Sequence, residues 1–178
     1  MARGRSKEVD GVSVLDAPGS GNEILTPVRD WFSRQGWKPF PFQEEVWQRY
    51  LAGESGLMQV VTGAGKTYAA TMGPIAEMLS QPAPGLKLLY VTPLRAVSRD
   101  IEKAITTPVA EMGWNLRVES RIGDTAQKTR RQQLKNMPDI LITTPESLEL
   151  MLAYPGSGEL FKNLRCVVAD EWHELLGN

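Results

Sequence analysis

Short runs of β-branched and other apolar residues alternate with longer segments of helical periodicity along most of this chain. The apolar runs are typical of buried strands, and the segments between them are typical of amphipathic helices. Predicted strands occupy residues 56–59, 86–92, 116–121, 139–143 and 164–169. Predicted helices occupy residues 24–35, 42–52, 68–79, 95–106, 107–113, 126–136, 145–154 and 172–176. This alternation predicts an α/β fold with a mainly parallel sheet and helices on both of its faces.

Size and composition allow one globular domain with an ordinary core. Residues 1–23 mix glycine, serine and charged residues without periodicity, which predicts a mobile leader before a single domain at residues 24–178. The formal net charge is −1, so any attraction for nucleic acid has to come from local patches. No apolar run is long enough to span a membrane, and the single cysteine, Cys166, cannot form an intrachain disulfide. A reducing, cytoplasmic setting is therefore expected.

The segment after the first predicted strand has the residues of a phosphate-binding loop. Gly63 and Gly65 lack a Cβ, so the backbone can approach a phosphate and adopt positive φ. Lys66 carries a charge that can reach the outer phosphates of a nucleotide, and Thr67 offers a hydroxyl to Mg²⁺. Free N–H groups at the start of the next helix point at the same anion. The alternative is a turn that contains these residues by chance, and the flanking strand and helix patterns disfavour it.

A pair of carboxylates, Asp170 and Glu171, follows the last predicted strand. In a parallel sheet the carboxyl ends of the strands share one edge, where ligands bind. We therefore expect both carboxylates to lie near the phosphate-binding loop. One of them can then reach Mg²⁺ and the other the attacking water.

Several further motifs also stand where predicted strands end, and together they resemble a known family. The strings FPFQEEVW, VTPLRAV, TTPESLELML and ADEWHELLG are similar to those of superfamily 2 DExH-box helicases. The resemblance is strongest to the Lhr-type and ligase-associated branch, covers residues 24–178, and corresponds to the N-terminal RecA-like motor domain. It implies an ATP-dependent DNA helicase, with ATP and Mg²⁺ as cofactors.

The resemblance also implies a role for each matching residue. Gln43 is expected to read the adenine edge. The phosphates would be held by Thr62, Gly63, Ala64, Gly65, Lys66 and Thr67. Thr67 and Asp170 would hold Mg²⁺, Glu171 would orient and deprotonate the water, and His173 would couple the nucleotide site to the rest of the motor.

A second set of residues is expected to grip a nucleic-acid strand by its phosphates. Its members are Thr92, Pro93, Arg95, Gly123, Asp124, Thr143, Thr144 and Pro145. Hydroxyls, a guanidinium and helix-start N–H groups are suitable donors. For residues 143–146 the alternative is a plain helix start capped by a threonine. In the polar helix at 126–136, Lys128, Arg131 and Lys135 share one face, which is either a DNA-attracting or a merely solvated surface.

The expected partner is single-stranded or partly duplex DNA, with repair proteins such as a DNA ligase or nuclease as further candidates and no membrane. Three alternatives stay open: an RNA-directed member of the superfamily, a fragment that binds nucleotide or nucleic acid without turnover, and, as a less favoured option, a P-loop kinase. DNA repair is the process that the family suggests.

The chain departs from the family pattern in two places. Val60 and Val61 stand where the family usually has Ala-Pro, which adds bulk at the loop entrance. The sequence also stops soon after the DEWH motif, before the motifs that follow in such helicases. We therefore expect slow ATP turnover, because an arginine finger from a second domain accounts for about 10³–10⁵ in rate in related enzymes. We also expect either a longer polypeptide or a rearranged sheet, since a strand that separates two others in the family is absent.

Overall fold

The computed structural model of the chain describes residues 21–61, 63–93 and 95–171, with only the backbone of Arg95. Its helices are α1 (Gly21–Ile24), α2 (Thr26–Arg34), α3 (Pro41–Leu51), α4 (Lys66–Ser80), α5 (Arg95–Glu111), α6 (Gln127–Lys135), α7 (Pro145–Leu152) and α8 (Ser157–Phe161). Its strands are β1 (Leu88–Val91), β2 (Val118–Arg121), β3 (Ile140–Thr143) and β4 (Cys166–Ala169).

The four strands form one parallel sheet in the order β2-β3-β1-β4. The central strand β1 pairs with β3 on one side and with β4 on the other, so that Tyr90 lies opposite Ile142 and Val168. Both β1 and β3 are buried along their whole length. A parallel sheet joined by helical crossovers is what the alternating pattern predicts, and the predicted α/β fold is confirmed.

Alternate residues of β1 and β3 enter two separate cores, one on each face of the sheet. Leu88 and Tyr90 pack with Trp31, Trp47 and other residues of α2 to α5. Leu89 and Val91 pack on the opposite face, in a cluster that also contains residues of α7 and α8 such as Met151 and Phe161. Helices on both faces are therefore confirmed, since a strand buried on both sides exposes neither set of side chains to water.

The helices differ from prediction by more than two residues in three places. The predicted helix at 24–35 is two helices, α1 and α2, separated at Leu25, and α1 begins at Gly21, within the predicted leader. The break predicted before Pro108 is wrong, because α5 continues through it to Glu111. Thr107 donates its hydroxyl to the Lys103 carbonyl in the turn before the proline. The short helix α8 has no counterpart in the prediction.

The predicted strand at 56–59 is wrong. Residues 54–61 are neither helix nor strand, and Leu57 and Val61 are 73% and 78% exposed. A strand forms only where a neighbour accepts its N–H and C=O groups. Within the described part of the chain, β4 has β1 on one side and no strand on the other, so this segment has no partner there. The sequence encodes its apolar character but not its neighbour.

Candidate nucleotide site and nucleic-acid surface

Helix α4 begins directly after the glycine-rich loop, and its first turn is open. Gly65 is the N-cap residue in the left-handed region (φ 81°, ψ 31°), and Gly63 has φ 83°. No side chain in the described part of the chain caps this helix. The first N–H groups of an α-helix have no carbonyl partner within the helix, and the helix dipole makes this end positive. This helix start can therefore bind an anion such as a phosphate.

Gln43 fixes the loop against α3. The side chain is buried; its Oε1 accepts a hydrogen bond from the Phe40 N–H at 2.8 Å, and its Nε2 donates to the Gly65 carbonyl at 3.1 Å. A Cβ on Gly65 would lie 2.6 Å from that Nε2, so another residue would have to displace the amide and adopt a strained φ. Gln43 thus joins the start of α3 to the start of α4, and contact with adenine stays a prediction.

The predicted lysine and the two predicted carboxylates meet beside this loop. Lys66 Nζ lies 3.2 Å from Glu171 Oε1, across the gap between α4 and the end of β4. Asp170 extends the pairing of β4 by donating its N–H to the Val91 carbonyl at 2.9 Å. Glu171 has φ 46°, the one positive φ at a non-glycine among the described residues. Such strain persists only where surrounding contacts hold it, and it concentrates at functional sites.

Tyr90 joins this group, although the sequence identified it only as a buried strand residue. Its hydroxyl donates to Asp170 Oδ2 at 3.1 Å, and Asp170 Oδ1 accepts the Glu171 N–H at 3.0 Å. Burial first, and then the charge and hydrogen bond of Asp170, raise the pKa of Tyr90, while a hydrogen bond with the Thr67 side chain opposes the rise. Asp170, one of the two predicted Mg²⁺ ligands, is therefore held by a phenol of the core. The one available signal was a polar-tipped residue in an aliphatic strand.

The donor atoms of Thr67 and Asp170 fit Mg²⁺. A hydroxyl and a carboxylate are hard oxygen ligands, which this ion prefers. Three or more acidic, histidine or cysteine side chains do not come together as a metal cage anywhere in the described residues. Mg²⁺ in nucleotide enzymes is typically held by one or two side chains together with phosphates, so a two-residue donor set is adequate.

The threonines predicted to hold nucleic acid are turned into the fold. Thr92, Thr143 and Thr144 are all buried. Thr143 Oγ1 donates to the Arg121 carbonyl at 2.8 Å, and Thr144 Oγ1 accepts the Ser147 N–H and caps α7. The Thr92 hydroxyl has no hydrogen-bond partner within the described residues. The capped-helix alternative for residues 143–146 therefore describes Thr144, and a nucleic-acid contact by these hydroxyls stays a prediction.

Among the residues predicted to contact nucleic acid, those in the turn after β2 are exposed. Gly123 and Asp124 are exposed, and Arg130 of α6 donates to the carbonyls of Ile122 and Gly123. Burial, and then the charge of Arg130, lower the pKa of Arg121. These two hydrogen bonds from Arg130 hold the backbone of the turn against α6.

The other predicted contacts are partly described. Lys128, Arg131 and Lys135 are exposed on α6, as their spacing predicts. Pro93 and Pro145 are half-buried. Thr62, His173 and the predicted helix at 172–176 lie outside the described residues, as does the side chain of Arg95. In the described part of the chain no helix is both long and apolar enough to cross a membrane.

Comparison with known proteins places this geometry in a family. Residues 40–178 match the family model of the DEAD/DEAH box helicases. The Lhr helicase and probable uracil glycosylase of Mycolicibacterium smegmatis is 38% identical over 159 residues, which are 82% of this chain and 10% of that protein. The ATP-dependent helicase Lhr-Core protein 2 of Thermococcus barophilus is 36% identical over 172 residues, which are 88% of this chain and 20% of that protein.

A solved structure agrees with both. It is that of the Mycobacterium smegmatis helicase Lhr bound to ssDNA and AMP-PNP, with a TM-score of 0.74 and 36% identity, covering 84% of this chain and 20% of that one. The chain thus spans a tenth to a fifth of the length of these relatives. The predicted resemblance to Lhr-type motor domains is confirmed, and the chain belongs to the DEAD/DEAH box helicase family.

Proposed function

We propose that this chain forms the ATP-binding half of a nucleic-acid-dependent ATPase that acts on DNA. The observation that carries the proposal is the open start of α4, where Lys66 faces Glu171, Thr67 lies in the same helical turn and Asp170 lies beside Glu171. These groups have the positive charge, free N–H groups and paired carboxylates that phosphoryl transfer from a nucleotide requires. The solved Lhr structure, in complex with AMP-PNP, supports the choice of ATP.

Each residue has a role that its position allows. The N–H groups at the start of α4 bind the phosphates, and Lys66 exchanges its contact with Glu171 for one with the outer phosphate. Glu171, released from Lys66, accepts a proton from the attacking water. Thr67 and Asp170 hold Mg²⁺, which when bound neutralises charge on the phosphate oxygens. Gln43 reads adenine with the amide hydrogen and the Oε1 lone pair that Gly65 and Phe40 do not use. His173 couples the site to the rest of the motor.

DNA is proposed as the partner because the solved relative is described as bound to ssDNA. The exposed turn at Gly123 and Asp124, together with the cations of α6, offers the contact surface. Within the proposal the protein works in DNA repair in the cytoplasm, alongside proteins such as a DNA ligase or nuclease. A cytoplasmic setting agrees with a lone cysteine whose thiol pKa burial raises to about 11, which makes it unreactive.

The first experiment tests the nucleotide site. Lys66→Ala should weaken binding of ATP far more than binding of adenosine, because the lysine contacts phosphate and not the base. The matched control is Lys162→Ala, at an exposed lysine that pairs with Glu159. Both ligands are measured by calorimetry in Mg²⁺. Equal loss for ATP and adenosine, or no loss for either, would refute the assignment.

A second experiment separates DNA from RNA and catalysis from binding. Phosphate release is followed with matched single strands of DNA and RNA. Stimulation by DNA but not by RNA is the expected result, whereas stimulation by RNA alone would favour the RNA-directed alternative. Nucleotide binding without release under either condition would identify a binding fragment. We expect release far below several turnovers per second.

A further inference from the structure

We propose that Tyr90 is a positioning residue for the divalent cation: its buried hydroxyl holds the Asp170 carboxylate in the orientation that binds Mg²⁺. This inference rests on the proposed nucleotide site. It assigns a part of that site to a strand on which the sequence motifs place no function. The phenol would act through Asp170, without contact to nucleotide or substrate.

Tyr90 itself is held rigidly in the fold. Its side chain is 2% exposed and packs in the larger core with residues of α4 and α5. Its backbone lies in β1, which pairs with a strand on either side. A side chain locked by packing on a central strand positions its polar tip more accurately than a residue on a loop does.

The Asp170 carboxylate depends on a few hydrogen bonds for its orientation. It follows β4 in the chain and lies in a turn, beside the strained backbone of Glu171. Its two carboxylate oxygens are held separately, Oδ1 by the Glu171 N–H at 3.0 Å and Oδ2 by the Tyr90 hydroxyl at 3.1 Å. The Tyr90 bond is the contact that ties the carboxylate to the core of the sheet.

These hydrogen bonds leave Asp170 able to bind a cation. An ionised carboxylate has about four lone-pair positions, so two hydrogen bonds leave two for other ligands. Thr67, the second proposed cation ligand, lies in the first turn of α4. Hydrogen-bond partners of metal ligands set ligand orientation, and their removal typically costs about 10–100-fold in metal affinity.

The test uses Tyr90→Phe, which keeps the ring and removes the hydroxyl. The full chain is titrated with Mg²⁺ while binding of a fluorescent ATP analogue is measured, and direct Mn²⁺ binding in the presence of AMP-PNP is followed by electron paramagnetic resonance. We expect half-saturation at a cation concentration about 10–100 times higher than in the unmodified chain. Binding of the analogue in EDTA should be unchanged, because the phenol does not contact the nucleotide.

The matched control is Tyr50→Phe. The Tyr50 phenol also donates to a carboxylate on α4, that of Glu77, which is not part of the proposed nucleotide site. Loss of the Tyr50 hydroxyl should leave the Mg²⁺ concentration at half-saturation unchanged. Equal shifts in the two variants would show general loosening of the core and would overturn the inference, as would an unchanged requirement in Tyr90→Phe.

A third variant makes the result specific. When Tyr90→Phe is added to Asp170→Asn, the Mg²⁺ concentration at half-saturation should not change further, because the carboxylate that Tyr90 orients is already gone. If the double variant instead shows the full additional increase in that Mg²⁺ concentration, Tyr90 does not act through Asp170 and the inference is overturned. If the unmodified chain shows no Mg²⁺-dependent nucleotide binding at all, the proposed function fails and the inference fails with it.

Discussion

Two helix starts at the same edge of the sheet, those of α4 and α7, are built in opposite ways. At α4 the N-cap is Gly65 in the left-handed region, and no described side chain satisfies the first N–H groups. At α7 the N-cap is Thr144 in an extended conformation, and its own hydroxyl accepts the Ser147 N–H. Gly63 is exposed, whereas Thr143 and Thr144 are buried.

The difference shows that a helix start is available to an anion only where the chain has not already satisfied it. Both segments contain hydroxyls and both precede a helix, so local composition makes both suitable for phosphate. The glycine N-cap of α4 leaves its first N–H groups without a side-chain partner, whereas Thr144 at the start of α7 accepts the Ser147 N–H. We therefore expect substitutions at α4 to act on binding and substitutions at α7 to act on stability.

The largest expected effect is that of Gly65→Ala. An alanine there is strained by about 1–2 kcal/mol at φ 81°, and its Cβ would also lie 2.6 Å from Gln43 Nε2. We expect ATP binding to be lost and the free energy of unfolding to fall, measured by calorimetry and urea denaturation. The control is Gly63→Ala, which has a similar φ of 83° but nothing within 4 Å of the added Cβ. Equal effects of the two would show that the contact with Gln43 is unimportant.

A smaller effect is expected for Gln43→Ala, which tests adenine recognition. The substitution should lower the ratio of ATP affinity to GTP affinity by about tenfold, which corresponds to the loss of one or two hydrogen bonds. Affinities for both nucleotides are compared by fluorescence. Because Gln43 also holds Gly65, some loss common to both nucleotides is expected. An unmodified chain that binds ATP and GTP equally would refute the prediction before any variant is made.

Thr144→Ala should instead destabilise the fold by about 1 kcal/mol, the usual cost of losing an N-cap. Nucleotide affinity should stay the same, since the hydroxyl is committed to Ser147. Urea denaturation gives the first quantity and ATP titration the second. Thr144→Ser retains the hydroxyl and should restore stability. A loss of ATP binding in Thr144→Ala would remove the contrast between the two helix starts.

The smallest effect is expected on α6, whose cations offer an alternative to the closed α7 start. If the exposed Lys128, Arg131 and Lys135 contact phosphates, each neutral substitution should reduce the log–log salt dependence of single-strand binding by about 0.7. Lys162→Gln, elsewhere on the surface, is the control. An unchanged slope after all three substitutions would return α6 to the role of a solvated helix.

Much of the core could be read from the sequence alone. The runs around Leu88–Val91, Ile140–Thr143 and Cys166–Ala169 are strands because β-branched and apolar residues there form short, continuous segments. The turn before α4 was equally clear, because Gly63 and Gly65 adopt the positive φ that the sequence allows, and phosphate binding by residues 63–67 stays a prediction. These features depend on residues that are close together in the sequence, so they can be recognised from the sequence alone.

Only the tertiary structure decides which strands and hydrogen-bonding groups that are distant in sequence pair with each other. Apolar residues at 56–59 predict a strand, but pairing requires an adjacent strand, which β4 does not have among the described residues. Likewise the hydroxyls of Tyr90 and Thr143 find their acceptors on Asp170 and Arg121, which lie far along the chain. A sequence specifies which groups need a hydrogen bond, whereas strand register and packing decide which group supplies it.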